Sequence, residues 1–156
     1  MENRTFFQRA NKPNNSGLLM DANAVVQVGS LECYDKMVFF LKITDDTVQD
    51  IRFLIEGCET TVATSSAVTE LAMGKSLDTL LEISEQTIAD ALSDFSGEEM
   101  HCPAMAASAM QSVAQLYRDT PKGEASSVTQ ALDHCNIAIQ ILNRPLSESY
   151  SSDYDL

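Results

Sequence analysis

The chain has 156 residues, of which 44% are apolar, and a formal net charge of −13. That length suffices for one domain with its own core, and the acidity argues against nucleic acid and against an anionic membrane surface. No apolar run approaches the roughly 20 residues that span a bilayer, and the start, Met1-Glu2-Asn3-Arg4-Thr5-Phe6-Phe7, lacks a signal-peptide core, so the expectation is a soluble cytoplasmic protein.

Residues 1–20 carry Asn11-Lys12-Pro13-Asn14-Asn15-Ser16-Gly17, a dense set of turn formers, after Phe6 and Phe7, which suit a short helix or an anchor. Ala24-Val25-Val26-Gln27-Val28-Gly29 is β-branched and predicts a strand. Gly29 to Asp35 predicts a turn, and Lys36 to Ile43 a second strand. Thr44-Asp45-Asp46-Thr47 reads as a hairpin-like turn before a third strand, Val48 to Glu56. Three strands with short connections imply an antiparallel meander.

Helices follow. The stretch after Gly57-Cys58 places Val62, Ser66, Thr69 and Met73 on one stripe beside Ala63, Ala67 and Leu71, with Gly74 as a C-terminal stop. Ser76 and Ser84 each read as an N-cap, the second helix running to about Leu92 with Ile88 and Ala91 inward. Ser93 to Glu99 is a polar loop. Cys102-Pro103 opens a helix to about Tyr117, because proline suits the first helical turn. Met105 and Met110 on that helix read as core fillers.

Residues 118–124 read as a linker. Ala125 to Leu142 predicts one more helix, with Val128, Ala131, Leu132, Cys135, Ile139 and Leu142 on one face and Cys135 buried among them. The Ser/Tyr/Asp-rich tail, 144–156, has the composition of disorder. The expected organisation is therefore α+β: a three-stranded antiparallel sheet packed against several helices within residues 1–117, a linker at 118–124, an extra C-terminal helix at 125–143, and an acidic tail.

The chemistry concentrates in three turns. Leu31-Glu32-Cys33-Tyr34-Asp35, Glu56-Gly57-Cys58-Glu59 and Met100-His101-Cys102-Pro103 hold three of the four cysteines with an aspartate and a histidine. Cytosolic thiols stay reduced, so metal binding, thiol chemistry or burial is expected rather than disulfides. Cys58 and Cys102 fall near helix N-termini, where the dipole favours a thiolate. Three soft sulfurs with the hard oxygen of Asp35 and the borderline nitrogen of His101 suit Zn²⁺, Fe²⁺ or an iron–sulfur cluster.

Spacing alone leaves two readings standing. The thiols are 25 and 44 residues apart (33 to 58, 58 to 102) with no CxxC, so separate structural cysteines and a joint site fit equally. His101 alone reads as a solvent-facing or capping residue, and Asp35 alone as a turn residue. Thr64-Ser65-Ser66 reads as helix packing, Glu98-Glu99 as exposed charge, and His134 beside Cys135 as helix surface next to core.

Taken together, several stretches resemble the scaffold family of iron–sulfur cluster assembly, the IscU proteins and the N-terminal domain of NifU. They are Asn14-Asn15-Ser16-Gly17, Val28-Gly29-Ser30, Cys33-Tyr34-Asp35, Ile51-Arg52-Phe53, Gly57-Cys58, Thr64-Ser65-Ser66, Gly74-Lys75-Ser76, and His101-Cys102 before an Ala-rich helix ending in Tyr117. The resemblance spans roughly residues 4–117 and favours the joint site. It implies a scaffold, not a turnover enzyme. Such a protein takes sulfur from a cysteine desulfurase, binds iron, builds a transient [2Fe–2S] cluster and passes it to recipient apo-proteins. By motif, Cys33, Cys58 and Cys102 are the implied ligands, with Asp35 or His101 completing the set. Cys102 is the implied sulfur acceptor, and Asp35 the residue that keeps the cluster labile.

Three departures qualify the resemblance. The family reads Cys-Gly-Asp where Tyr34 stands here. Its chaperone-recognised Leu-Pro-Pro-Val-Lys stretch is replaced by Ser96-Gly97-Glu98-Glu99-Met100, which puts a chaperone partner in doubt. Residues 118–156 are extra. Two rival readings follow: a zinc-holding sulfur acceptor or desulfurase regulator, and an interaction module docking through its C-terminal helix. Three thiols per chain fall short of four, so a cluster bridging a homodimer is also open.

Overall fold

The computed structural model describes residues 6–30, 35–92, 101–132 and 135–151. Helix α1 (Phe6–Asn11) leads into β1 (Ala24–Ser30), β2 (Lys36–Thr44) and β3 (Thr47–Glu56), the expected meander. Asp45 and Asp46 adopt left-handed conformations, φ 53° and 57°, between the paired Thr44 and Thr47. Two left-handed residues suit the twist of a tight hairpin, and aspartate tolerates them. A register shift at Lys42/Ile43 then lets Val48, Ile51 and Phe53 all face inward although the first two are three residues apart.

Helices α2 (Glu59–Ala72), α3 (Leu77–Glu82), α4 (Glu85–Ala91) and α5 (His101–Asp119) follow. Ser76 and Ser84 are N-caps, as the sequence predicts: Ser76 Oγ accepts from the Thr79 N–H, and Ser84 forms a reciprocal capping box with Thr87. Gly74, just past α2, has φ +76°, a conformation glycine takes without steric cost. Thr60, Thr61, Ala63 through Thr69, and Ala72 are all buried, so α2 is enclosed by its neighbours rather than amphipathic. Small side chains permit that close approach. Arg9 of α1 is wholly buried, pairs with Glu70 of α2 at 2.7 Å and donates to the Ala91 carbonyl of α4, tying three helices together.

Residues 125–142 correct the sequence reading. They form two strands, β4 (Ser126–Ala131) and β5 (Cys135–Ile141), not a helix. The sheet has five strands in the order β3-β2-β1-β5-β4, not three, and β5 pairs antiparallel with the free edge of β1. Cys135, Ile137, Ile139 and Ile141 are buried while Asn136, Ala138 and Gln140 are exposed, a period of two. An edge strand exposes unpaired backbone groups, and covering β1 satisfies them.

The linker and tail need correction as well. Arg118 and Asp119 belong to α5, and Thr120 Oγ1 bonds the Leu116 carbonyl at 2.6 Å as that helix ends. Leu146–Ser151 form a short helix, α6, where a disordered tail was expected, and Leu146 is buried. The last five residues lie outside the described residues.

The main core lies between one face of the sheet and α2 and α5. Phe53, Phe39, Val26 and Ile139 align in one row across four strands. They pack in a single cluster with Ala63, Ala67, Met105, Ala109 and Met110. On the opposite face Leu146 joins Leu19, Ala22 and Phe40 in a second, smaller cluster. No described helix is long and apolar enough to cross a membrane.

Candidate metal centre

Three chain segments converge at the end of the sheet where β1 hands over to β2. The Ser30 N–H donates to the Asp35 carbonyl at 2.8 Å, closing that connection. The Asp35 residue is 7% exposed. Burial of a carboxylate is unfavourable unless polar or charged groups meet it, and two do. Asp35 Oδ2 lies 3.4 Å from His101 Nε2 and 3.9 Å from Cys102 Sγ. The carboxylate oxygen, the imidazole nitrogen and the sulfur all lie within 4.8 Å of one another.

His101 and Cys102 are the first described residues of α5, with Cys102 fully buried and the His101 side chain 30% exposed. Cys58 is exposed and N-caps α2 with extended geometry, φ −92° and ψ −174°, but its side chain makes no capping hydrogen bond. The sulfur is thus left to other partners, and Thr61 Oγ1 lies 3.7 Å from it. The same oxygen lies 3.9 Å from Cys102 Sγ, so one threonine hydroxyl links the two thiols. Gly57 makes room for this approach. A Cβ at residue 57 would stand 2.5 Å from Thr61 Oγ1 and 2.7 Å from Asp35 Oδ1.

Of the five residues singled out from sequence, Asp35, His101 and Cys102 form one group, and Cys58 reaches it through Thr61. Cys33 and Tyr34 lie outside the described residues, as do Glu98, Glu99 and His134. The set of carboxylate, imidazole and thiol matches the preferences of Zn²⁺ or Fe²⁺.

Sequence reasoning missed Thr61, which carries no motif, and misplaced Cys135. That thiol is buried on β5 as the Cα partner of Ser30, at the same end of the sheet as Asp35. Burial raises its pKa by desolvation. A cavity of ≈ 370 Å³ opens there between His101, Met105 and Ser108 of α5 and Leu132 and Cys135 of the hairpin. A larger one, ≈ 540 Å³, lies at the other end of β2 and holds no thiol; Lys42, Asp45, Tyr117, Lys122 and Arg144 line it.

The model of the NifU-like N-terminal domain matches residues 1–124. The iron-sulfur cluster assembly scaffold protein IscU 1 of Archaeoglobus fulgidus is 37% identical over 105 residues, covering 67% of this chain and 69% of that protein. The nitrogen fixation protein NifU of Azotobacter chroococcum mcd 1 is 39% identical over 108 residues, 68% of this chain but 35% of that longer protein. Among solved structures, the N-terminal part of a NifU-like protein from Brucella abortus superposes with a TM-score of 0.61. It is 16% identical and covers 74% of this chain and 92% of its own, a likeness of fold.

Proposed function

The chain belongs to the NifU-like N-terminal domain family, and on that premise we propose that it is a scaffold on which a [2Fe–2S] cluster is assembled and from which it is passed to apo-proteins. Sulfur comes from a cysteine desulfurase, and iron and cluster are cargo, not a resident cofactor. The observation that carries this reading is the buried Asp35 carboxylate, 3.4 Å from His101 Nε2 and 3.9 Å from Cys102 Sγ.

Cys102 is the proposed sulfur acceptor. The attacking species is the thiolate, and Asp35 Oδ2 is placed to take the thiol proton. Cys102 sulfur then attacks the outer sulfur of the desulfurase persulfide. That S–S bond breaks, the desulfurase cysteine leaves as thiolate, and a new S–S bond forms on Cys102. With Cys33 and Cys58 as further ligands, a fourth position falls to Asp35 or His101. A hard carboxylate among soft sulfurs makes the weakest bond of such a set, which favours release over retention.

The test is to incubate the chain with desulfurase and cysteine, then locate added sulfur by mass spectrometry of intact protein and peptides. The reading expects sulfur on Cys102 of the wild-type chain and little on Cys102→Ser; equal labelling of both would remove Cys102 from that role.

A second reading draws on the same compact donor set, which can hold a single Zn²⁺ without any cluster. The protein would then act as sulfur acceptor or desulfurase regulator. The docking-module reading counted on a helix at 125–143, where Ser126–Ala131 and Cys135–Ile141 are instead strands of the sheet.

A further inference from the structure

The hydroxyls of α2 fall into distinct environments. Thr69 Oγ1 donates back to the Ser66 carbonyl at 2.7 Å, a common resting place for a helical threonine. Thr64 Oγ1 and Ser65 Oγ have no hydrogen-bond partner among the described residues. Thr61 differs from all of these. It is wholly buried, and the described partners of its Oγ1 are two sulfurs, Cys58 at 3.7 Å and Cys102 at 3.9 Å. No described carbonyl draws its proton away. Gly57 holds open the space this hydroxyl occupies.

A hydroxyl has one proton to give and lone pairs to receive. A free thiol can donate to it. A metal-bound thiolate has no proton and only accepts. A carboxylate oxygen such as Asp35 Oδ2 offers such a sulfur no donor, whereas Thr61 does. Hydrogen bonds to coordinating sulfur orient the ligand and tune the electronics of the metal or cluster it holds.

We propose that Thr61 is a positioning residue of the metal centre, donating one hydrogen bond to the thiolate of Cys58 or Cys102 when metal or cluster is held there. One proton serves one sulfur at a time, so Thr61 supports one thiolate at a time. Such a bond lowers a thiolate's electron donation to its metal. The inference rests on the metal-binding reading of these cysteines, not on cluster transfer.

Cobalt(II) tests it, because thiolate-to-cobalt charge-transfer bands report the sulfur directly. The wild-type chain, Thr61→Val, Thr61→Ala and Thr61→Ser are each loaded anaerobically, with a thermal melt confirming that they fold. Valine fills the same volume without the hydroxyl. Alanine leaves it out without adding a methyl, so a valine that misfolds does not end the test. Loss of a hydrogen bond to a charged group is expected to shift the band to lower energy and to speed cobalt loss to a chelator by roughly tenfold. Serine is expected to restore both. Valine and alanine variants with the wild-type band and loss rate would overturn the role of Thr61. A serine variant that behaves like valine would do the same. A wild-type chain that shows no thiolate-to-cobalt band would overturn the metal-binding reading itself, and the inference with it.

Discussion

Gly57→Ala is a small substitution aimed at the centre of the site. Gly57 has no positive φ, so the effect is steric. The added Cβ would stand 2.5 Å from Thr61 Oγ1, 2.7 Å from Asp35 Oδ1 and 2.9 Å from Thr61 Cβ. Carbon contacts are comfortable at about 3.5–4.0 Å. Thr61 Cβ is fixed to the α2 backbone and cannot swing aside. Thr61 Oγ1 can move only by leaving the sulfurs, and Asp35 Oδ1 only by turning the carboxylate away from His101 and Cys102. Overpacking of this kind costs about 1–3 kcal/mol, or a fall in Tm of roughly 2–12 °C for a chain of this size. Thermal melting measures the first effect, and anaerobic cobalt or zinc titration the second. The expected result is a folded, less stable protein with weakened metal binding. Adding Thr61→Ala removes one of the three contacts, that to Oγ1, and should recover part of the stability, while the residue-61 Cβ and Asp35 contacts persist. A Gly57→Ala chain with wild-type Tm and wild-type metal affinity would refute the reasoning.

Other outcomes follow from separate parts of the molecule. Arg9→Ala leaves the Glu70 carboxylate, 8% exposed, without its buried partner; a loss of about 3–5 kcal/mol is expected in urea unfolding, and a loss under 1 kcal/mol would show the pair to be dispensable. Asp35→Ala should lengthen the lifetime of a reconstituted cluster, followed by its visible absorbance; an unchanged decay would remove Asp35 from the release step. Truncation after Glu124 uncovers the β1 edge and removes the buried Cys135, Ile137, Ile139 and Ile141, so the shortened chain should melt well below the full chain; equal Tm values would show the hairpin to be an appendage. Folding holds the Cys135 thiol above its ordinary pKa through desolvation, and the Tyr117 phenol above its own through desolvation and then the nearby Asp46 and Asp45. The unfolded chain therefore releases these protons first, and stability should fall as pH rises past about 9; a flat alkaline stability profile would contradict the burial of both groups.

The meander and the helix starts were legible because local chemistry decides them. Asp45-Asp46 supplies a left-handed turn, Ser76 and Ser84 supply caps, and Pro103 suits the first turn of α5. Residues 125–142 were misread because two periods coexist there. Val128, Ala131, Leu132, Cys135, Ile139 and Leu142 fit a helical stripe, while Cys135, Ile137, Ile139 and Ile141 fit a strand. What decides between them is the open edge of β1, about a hundred residues earlier in the chain and invisible to any local window. Asp35, Cys58, His101 and Cys102 stood out in the sequence as candidates, and resemblance rather than spacing joined them; Cys33 lies outside the described residues. Thr61 carried no sequence signal, since a buried helical threonine usually bonds its own backbone.

Anaerobic reconstitution with iron, cysteine and a desulfurase, followed by visible absorption and by iron and acid-labile sulfide analysis, tests the scaffold reading most directly. The account predicts sulfide-to-iron charge-transfer bands, iron and sulfide in equal amounts, and passage of the cluster to a recipient apo-protein. A colourless chain that keeps stoichiometric zinc, or one that binds neither metal, would contradict it.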